Sequence, residues 1–366
     1  MNKIILLIDS LGSGGAQRQI LLLAKLLAET GCQVEVLIYH DIIDYEVNDN
    51  KFKITLIKKG KPWVFIWKFL AYIRMSKPDT LIAYLRGPTL IARLAKIFSP
   101  NLQVITSQRN VDLHHMKKNL LLEKLTYRLS DKIVTNTYSE QAMLIDKVNI
   151  PRSKIQVIYN GYDEKRFFPV LEKQRSEIRA QLGVSFEQFC IVLPGRIQQQ
   201  KNHQCLIEAL SGIEHKDKLK VFFVGDVIDL DLAQILKVAI DKNLLNENII
   251  FTGRQENIEE YYHAADLVVL PSLWEGLPNV ILEAMACART VIASNVADNS
   301  QIIEHGINGF LFDSNSTAQL TTLLNNIILN GVSMEVGSKA SEYAAKKFSS
   351  SELGVNYLNC IERLTR

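Results

Sequence analysis

The sequence predicts an α/β protein of two doubly wound domains, and three observations support this prediction. Short apolar runs alternate with longer amphipathic patterns along the 366 residues. This alternation runs twice. Between the two rounds, at residues 160–170, the segment NGYDEKRFFPV supplies an Asn-Gly pair and a proline, which are typical of a link. Short apolar runs suit strands covered on both faces, so the alternation indicates right-handed βαβ units and parallel sheets.

The elements follow from these patterns in chain order. Strands are predicted at residues 4–8, 34–38, 80–84, 104–107 and 132–136, and again at 190–193, 220–224, 248–251, 267–270 and 290–293. Helical patterns lie between them, for example at 17–30, 203–210 and 280–287. We predict a first domain at residues 1–168 and a second at 169–348, with a last amphipathic helix, 349–366, that packs back on the first.

Composition excludes several classes of protein. Apolar residues make up 47% and charged residues 22%, as in globular proteins. No apolar run reaches the roughly 18 residues that span a bilayer, and the N-terminus is typical of a buried strand rather than a signal peptide. We therefore expect a cytoplasmic protein, at most peripheral on the inner face of the membrane. The five scattered cysteines indicate reduced thiols rather than disulfides or a zinc site.

Charge is divided unevenly along the chain. Residues 1–170 hold 25 Lys and Arg against 15 Asp and Glu, whereas residues 171–366 hold 17 against 24. A basic half predicts an anionic partner, such as a phosphorylated substrate or an anionic membrane surface. Nucleic acid is not expected, because the chain has no zinc-finger spacing and no RNA-recognition aromatic motif.

Two segments that follow predicted strands could bind phosphate. In LGSGGAQ, Gly14 and Gly15 would let the backbone approach a phosphate at a helix start, although Gln17 stands where a dinucleotide fingerprint has its third glycine. The alternative is a tight turn without a ligand. In LPGRIQQQKNH, Arg196 and Lys201 could grip a diphosphate from one side. The alternative there is an ordinary pair of surface cations.

A pair of glutamates carries the strongest signal. In LPSLWEGLPNVILEAMA, Glu275 lies in a loop, Pro278 can take the first helical turn, and Glu283 lies in the second turn. A separation of roughly 10 Å follows if the helix rises 1.5 Å per residue. That matches the span from a sugar hydroxyl to a ribose hydroxyl across a diphosphate. Taken singly, each glutamate would be an ordinary surface acid.

The ordered set of motifs resembles the GT-B fold retaining glycosyltransferases of group 1, family 4. The matching segments run from SGGAQR through NGYD, GRIQQQKNH and EGLPNVILEAMA to IIEHGINGFLF. The resemblance implies two Rossmann-like domains facing across a cleft. It implies that Arg196 and Lys201 bind the diphosphate and stabilise its departure, that Glu275 contacts the donor sugar, and that Glu283 binds the ribose. Catalysis would rest on the first three of these residues, without a metal ion or other cofactor.

Further donor contacts are implied by the same resemblance. Gly14 and Gly15 would border the diphosphate, the loop with Arg254 and Gln255 would lie near the base, and Gly276 and Leu277 would accompany Glu275. The acid pair Asp229 and Asp231 spells a DxD motif, but it falls at a predicted helix start, where acids are favoured without a metal.

Three positions depart from the family pattern. Arg109 and Asn110 stand where many relatives have a histidine near the sugar. Ala288 occupies the position after the Met-Ala-Cys triplet where relatives usually have a glycine. Ala297 and Asp298 occupy the positions where relatives usually have a Gly-Gly pair. The last departure falls in a loop that the resemblance implies contacts the leaving phosphate or sugar.

The acceptor side depends on the basic half. Residues 58–77 mix lysines with Trp63, Phe65, Trp67 and Phe69, which predicts either a helix in a membrane interface or a buried helix with exposed lysines. A basic cluster in this half could bind an acceptor phosphate. The alternative is that its histidines are exposed polar residues without a ligand. The residues assigned to the acceptor side are Gln17, Arg86, Arg109, Asn110, Lys117 and Lys118, with His114 and His115 in the same cluster.

These observations predict a transferase with two substrates. The expected donor is a nucleotide-diphosphate hexose or N-acetylhexosamine, most simply a UDP-sugar, and the expected acceptor is an undecaprenyl-diphosphate-linked saccharide of surface polysaccharide (O-antigen, capsule) or glycan synthesis. Four alternatives stay open: a nucleotide-sugar epimerase, a phosphorylase, a nicotinamide enzyme and a non-catalytic membrane scaffold. The sequence does not plainly supply a lysine for pyridoxal phosphate, which argues against a phosphorylase. The missing third glycine argues against a nicotinamide enzyme. The intact set of charged residues argues against a non-catalytic scaffold.

Overall fold

The structure is a computed structural model, and it describes residues 2–12, 14–45, 50–109, 116–214 and 216–365. The chain divides into two compact units. Unit 1 holds residues 1–161 together with 350–366, and unit 2 holds residues 162–349. The first unit thus ends at Gly161 rather than at residue 168, because Tyr162 already pairs its backbone with Ser349 and Phe348 of unit 2.

Unit 1 is built on a parallel sheet in which the strand order is β3-β2-β1-β4-β5-β6-β7. Its strands are β1 Lys3–Leu7, β2 Gln33–Ile38, β3 Lys53–Leu56, β4 Thr80–Tyr84, β5 Gln103–Gln108, β6 Lys132–Thr135 and β7 Ile155–Val157. Its helices are α1 Gly15–Glu29, α2 Pro62–Ser76, α3 Arg86–Phe98, α4 Met116–Thr126, α5 Tyr138–Val148 and, from the end of the chain, α14 Ser350–Thr365.

Unit 2 repeats the plan with the order β10-β9-β8-β11-β12-β13. Its strands are β8 Phe189–Pro194, β9 Leu219–Val224, β10 Ile249–Gly253, β11 Leu267–Leu270, β12 Thr290–Ser294 and β13 Phe310–Phe312. Its helices are α6 Glu172–Gln181, α7 His203–Ser211, α8 Leu230–Lys242, α9 Ile258–Ala264, α10 Asn279–Ala286, α11 Asn299–Ile302, α12 Thr317–Asn330 and α13 Met334–Phe348.

The sequence predicted the central strands but missed β3, β7 and β13. All three lie at sheet edges and have three or four residues. An edge strand pairs on one side only and is less completely buried, so its apolar pattern is short and interrupted. In β3, for example, no residue is fully buried.

Helix α14 packs on unit 1. Its buried residues Leu353, Tyr357, Cys360 and Ile361 recur at helical spacing and join the apolar cluster that covers α1 and one face of the sheet. At Gly354 the helix backbone packs against Leu26 of α1, and a Cβ there would lie 3.4 Å from Leu26, which is van der Waals contact. The other face of the sheet is covered by α2 and α3.

Two helix starts differ from expectation or sharpen it. Pro278 is the N-cap of α10 rather than part of its first turn, which begins at Asn279. Asp229 is the N-cap of α8, and its carboxylate accepts a hydrogen bond from the backbone N–H of Leu232 at 2.9 Å. The acid pair of the DxD motif therefore serves a helix start. Among the residues described above, no helix is both long enough and apolar enough to traverse a bilayer.

Candidate active site

The candidate site in unit 2 lies where the strand order reverses. β8 is flanked by β9 on one side and β11 on the other, so the loops after β8 and β11 leave the carboxyl edge of the sheet side by side. Ligands of open parallel sheets bind at such a switch point. The loop after β8 carries Arg196 and Lys201, and the loop after β11 carries Glu275.

The turn after β8 depends on close backbone packing. Gly195 has a φ of 152°, and a Cβ there would lie 3.0 Å from the Cδ of Lys201. A Cβ on Gly225, just after β9, would clash with the carbonyl oxygen of Gly195. Glycine at both positions therefore lets the turn form. Arg196 is exposed, and its guanidinium makes no hydrogen bond or ion pair with the part of the chain described above.

Lys201 and Glu275 form an ion pair. The ammonium lies 2.5 Å from Oε1 of Glu275, and the two side chains are only 14% and 7% exposed. Ser272 donates its hydroxyl to the same oxygen at 2.7 Å, and Gln200 donates to Oε2 at 3.3 Å. The carboxylate is thus fixed in orientation by three side chains, and the sequence alone identified neither Ser272 nor Gln200 as a partner.

Glu283 lies in the second turn of α10, as predicted from the sequence. It is buried, with 3% of its surface exposed, and its Oε2 accepts the hydroxyl hydrogen of Tyr262 at 3.1 Å. Tyr262 comes from α9 and is fully buried. Glu283 is therefore not an ordinary surface acid, and the sequence did not reveal Tyr262 as its partner.

Four further residues assigned to the donor lie on loops of unit 2. Leu277 is buried and Gly276 is half-buried in the loop between β11 and α10. Arg254 is exposed just after β10, and Gln255 donates its amide to the carbonyl oxygen of Thr252 at 2.7 Å.

In unit 1 the order reverses between β1 and β4. Gly14 precedes α1, and its backbone exchanges two 3.0 Å hydrogen bonds with the hydroxyl of Tyr45. Gly15 is the first residue of α1. The side chain of Gln17 folds back against Gly14, and its Oε1 occupies the space that a Cβ on Gly14 would need. Arg86 is exposed at the start of α3, directly after β4. These residues therefore follow two adjacent strands at the carboxyl edge of the unit 1 sheet.

Arg109 differs from the acceptor role predicted for it. It is buried, and its guanidinium donates to Ser107 at 3.0 Å, to Tyr357 at 3.1 Å and to Asn160, while its carbon lies 4.0 Å from the ring centroid of Tyr84. A guanidinium held in this way supports the fold of unit 1. The geometry therefore favours a structural role for Arg109 over a direct contact with an acceptor phosphate.

Several acceptor-side residues lie outside the description. Asn110, His114 and His115 are not among the described residues, and the side chains of Lys117 and Lys118 are not described either. The roles assigned to them stay predictions.

Two family models match the chain. The one described as Glycosyl transferases group 1 matches residues 174–347, and the one described as Glycosyltransferase Family 4 matches residues 13–166. Together they account for most of both units. The chain belongs to the group 1 and family 4 glycosyltransferases.

Individual relatives agree with this membership. The glycosyltransferase is 26% identical to the N-acetylgalactosamine-N,N'-diacetylbacillosaminyl-diphospho-undecaprenol 4-alpha-N-acetylgalactosaminyltransferase of Campylobacter jejuni. The match extends over 313 residues and covers 81% of each chain. It is 26% identical to the UDP-Gal:alpha-D-GlcNAc-diphosphoundecaprenol alpha-1,3-galactosyltransferase of Escherichia coli, over 72% of this chain and 68% of that one. Anabaena Alr3699/HepE, solved in complex with UDP-glucose, has a TM-score of 0.88 at 21% identity over 99% of both chains. The fold is GT-B.

Two of the family departures have a structural consequence in this glycosyltransferase. Ala288 has a φ of 56° and Ala297 a φ of 48°, so both lie in the left-handed region that favours glycine. The backbone shape is thus kept without the glycines, and the Cβ of each alanine is held in a strained conformation.

A buried histidine next to Lys201 is a further feature that the sequence did not single out. His203 is 1% exposed, and neither ring nitrogen has a hydrogen-bond partner in the described part of the chain. Its ring packs edge-on against Phe223 at 4.9 Å. Burial and, to a lesser degree, the charge of Lys201 lower the pKa of His203 to about 3, so the imidazole is neutral near pH 7. The same described residues contain no group of three or more His, Cys, Asp or Glu side chains arranged to hold a metal ion.

Proposed function

We propose that this glycosyltransferase moves a hexose or N-acetylhexosamine, with retention of anomeric configuration, from a UDP-sugar to an undecaprenyl-diphosphate-linked saccharide. The observation that carries this proposal is the Lys201–Glu275 pair at the switch point of unit 2, with the exposed Arg196 on the same loop as Lys201. The Campylobacter and Escherichia relatives are named for diphospho-undecaprenol substrates, and the Escherichia relative is named for UDP-Gal. We place the reaction in the synthesis of surface polysaccharide (O-antigen or capsule) or glycan, in the cytoplasm.

Donor binding follows from the charges of the loop after β8. Arg196 is exposed and unpaired within the described residues, so its planar guanidinium is available for two phosphate oxygens. Lys201 already has one carboxylate partner, and its remaining hydrogens can meet the second phosphate. The backbone N–H groups at the start of α10 favour the same anion.

The two glutamates would bind the hydroxyls at either side of the diphosphate. Glu275 has its Oε1 occupied by Lys201 and Ser272, so Oε2 is the oxygen more open to a sugar hydroxyl. Glu283 would accept the ribose hydroxyls, with Tyr262 orienting its carboxylate. Arg254 and Gln255 would lie near the uracil.

The reaction can proceed on one face of the sugar. The bond between the anomeric carbon and the diphosphate breaks, the acceptor oxygen bonds to that carbon from the same side, and the acceptor proton passes to the departing phosphate oxygen. Arg196 and Lys201 stabilise the negative charge that develops on the diphosphate. Glu275 is ion-paired and serves as a binding group rather than a nucleophile. Because the two cations supply the charge stabilisation, we propose that no metal ion is required.

The test is a donor and acceptor screen with a matched variant. A panel of nucleotide sugars is scored by thermal stabilisation, and turnover with a synthetic polyprenyl-diphosphate sugar is followed with and without EDTA. We expect UDP-sugars to stabilise the wild type, and Glu283→Ala to weaken UDP binding by about tenfold or more, since a ribose contact made by a charged group is lost. Glu247→Ala, an exposed acid of unit 2, is the control.

Three outcomes would contradict the proposal. Unchanged UDP affinity in Glu283→Ala would remove the ribose assignment. Conversion of the nucleotide sugar in the absence of any acceptor would favour an epimerase. An inverted anomeric centre in the product, read by nuclear magnetic resonance, would exclude retention.

A further inference from the structure

The exposed face of α2 carries large apolar side chains. Trp63 is 69% exposed, Trp67 is 74% exposed and Met75 is 83% exposed. They follow one another at helical spacing, with the exposed Ala71 between them. Two tryptophans that are four residues apart and open to water are unusual on a surface that meets only solvent.

The opposite face of α2 explains how the helix is held. Phe65, Phe69 and Ile73 are buried in the apolar cluster that covers one face of the unit 1 sheet. These three residues anchor the helix to the fold. The tryptophan face therefore contributes little to folding, and its apolar area has no described partner within unit 1.

The chain segment that contains α2 carries charge of one sign. From Lys51 to Pro78 the chain holds eight Lys and Arg and no Asp or Glu. Lys58, Lys59, Lys61 and Lys68 are exposed beside the tryptophans. Lysines of this kind complement an anionic surface, and tryptophan rings settle at the depth of lipid headgroups.

We propose that α2 is a membrane-docking helix, with Trp63 and Trp67 inserted at the headgroup level of an anionic bilayer and the flanking lysines bound to its phosphates. Lipid is favoured over nucleic acid because Val64, Ala71 and Met75 continue the exposed stripe, and aliphatic side chains offer no stacking surface for bases. The proposal deepens the proposed function by naming the surface from which the lipid-linked acceptor would be drawn.

The position of α2 in the fold suits this role. In a parallel sheet a helix begins near the carboxyl end of the strand that it follows. Trp63 is in the first turn after β3, so it lies towards the carboxyl edge of unit 1. Arg86 and Gly14 follow β4 and β1 at the same edge. Docking through α2 would bring this edge towards the lipid surface.

The main test measures vesicle binding by the full chain. Flotation with phosphatidylcholine vesicles, with or without phosphatidylglycerol, is compared for the wild type and for Trp63→Ser/Trp67→Ser. We expect the wild type to bind only the anionic vesicles and to be released by high salt, and the double variant to lose about tenfold or more in binding. Both substituted side chains are exposed, so circular dichroism is expected to match the wild type.

A matched control removes exposed apolar side chains elsewhere. Ile235 and Val238 on α8 are 56% and 60% exposed, and Ile235→Ser/Val238→Ser should bind vesicles as the wild type does. An equal loss in this control, or full binding by the α2 variant, would overturn the proposal.

Fluorescence gives a second readout. The chain has three tryptophans, and the α2 variant keeps only Trp274. A blue shift of wild-type emission on anionic vesicles that disappears in the α2 variant would support insertion, whereas no shift in the wild type would refute it.

The same proteins also test two other partners for the exposed face of α2. If a single-stranded RNA displaces the wild type from vesicles and binds the α2 variant weakly, the face binds nucleic acid. If sedimentation shows a wild-type dimer that the α2 variant converts to a monomer, the face joins two copies. Either result overturns membrane docking.

UDP binding, measured on the same preparations, separates the two proposals. If the wild type does not bind UDP, the proposed donor is contradicted. If it binds UDP but not vesicles, membrane docking alone is contradicted.

Discussion

The ammonium nitrogen of Lys201 lies 2.5 Å from Oε1 of Glu275, and neither side chain is more than 14% exposed. The two residues come from loops after adjacent strands, β8 and β11. The lysine that we propose to bind the diphosphate and the glutamate that we propose to bind the sugar therefore neutralise each other. With Arg196 included, the three side chains carry one net positive charge, which suits the anionic donor that we propose.

Removal of the lysine should impair catalysis strongly. Lys201→Met is expected to lower kcat/KM by about 100- to 1,000-fold, because charge on the departing diphosphate loses a stabilising cation. Glu275 also loses its partner, so the variant should be less stable. Steady-state kinetics and urea denaturation measure both effects.

The double variant makes the prediction sharper. Lys201→Met/Glu275→Gln should regain stability, with a coupling free energy of about 1–3 kcal/mol, but not activity. Lys237→Met removes an exposed lysine of α8 and is the control. Additive stability losses would show that the pair is not coupled.

The C-terminal helix should stabilise unit 1 through one hydroxyl group. Tyr357 OH accepts from Arg109 at 3.1 Å and from Tyr84 at 3.0 Å, and burial raises the pKa of Tyr84 well above its ordinary value. Tyr357→Phe leaves a buried guanidinium N–H without its acceptor, so we expect a loss of about 1–3 kcal/mol in the free energy of unfolding.

The control for this variant is an exposed tyrosine hydroxyl. Tyr343 on α13 donates to the carbonyl oxygen of Gln301 at 3.2 Å at the surface, and Tyr343→Phe should change stability by about 0.5 kcal/mol or less. If the two variants are equally stable in urea denaturation, the buried network does not stabilise the fold.

Restoring the family glycine should relieve backbone strain. Ala297 is exposed with a φ of 48°, so Ala297→Gly removes a steric cost at the expense of some unfolded-state entropy. The expected net gain is about 0.5–1 kcal/mol. Ala318→Gly, at an exposed position in the first turn of α12, should instead lose stability, by about 0.5 kcal/mol. A loss at both positions, measured by chemical denaturation, would show that the left-handed conformation is not strained.

The buried histidine should make stability fall in acid. The pKa of His203 is about 3 in the folded protein against an ordinary value of 6.5. Between these values the unfolded chain binds the proton and the native state does not. The stability contributed by the neutral form of His203 is therefore fully present above pH 6.5. It decreases by about 1.4 kcal/mol per pH unit as the pH falls from 6.5 towards 3.

A single substitution tests this contribution. His203→Leu removes the titrating group and two buried nitrogens that have no described partner. Compared with the wild type, the variant should gain more stability at about pH 5 than at about pH 7.5, by roughly 1–2 kcal/mol in urea denaturation. Parallel pH profiles for the two proteins would contradict the low pKa.

Much of the fold was predictable because its signals are local. Buried parallel strands are continuous apolar runs, and β4 and β11 have the predicted bounds. The glycine-rich turn after β1, the Arg196–Lys201 spacing and the position of Glu283 on α10 were also visible, since each depends on a few neighbouring residues. The edge strands were not, because their pairing partners supply most of their order.

The sequence by itself determined that this chain is a GT-B glycosyltransferase, and it located the residues that we propose to bind the donor on loops after strands and on α10. Tertiary structure alone decided which of those residues meet. Lys201 and Glu275 pair although they lie far apart in the sequence, and Arg109 is held by Tyr357 from the last helix. The physical reason is that local patterns specify strands and helices, whereas burial, hydrogen-bond partners and charge pairing arise only when the sheet order brings distant loops to one edge.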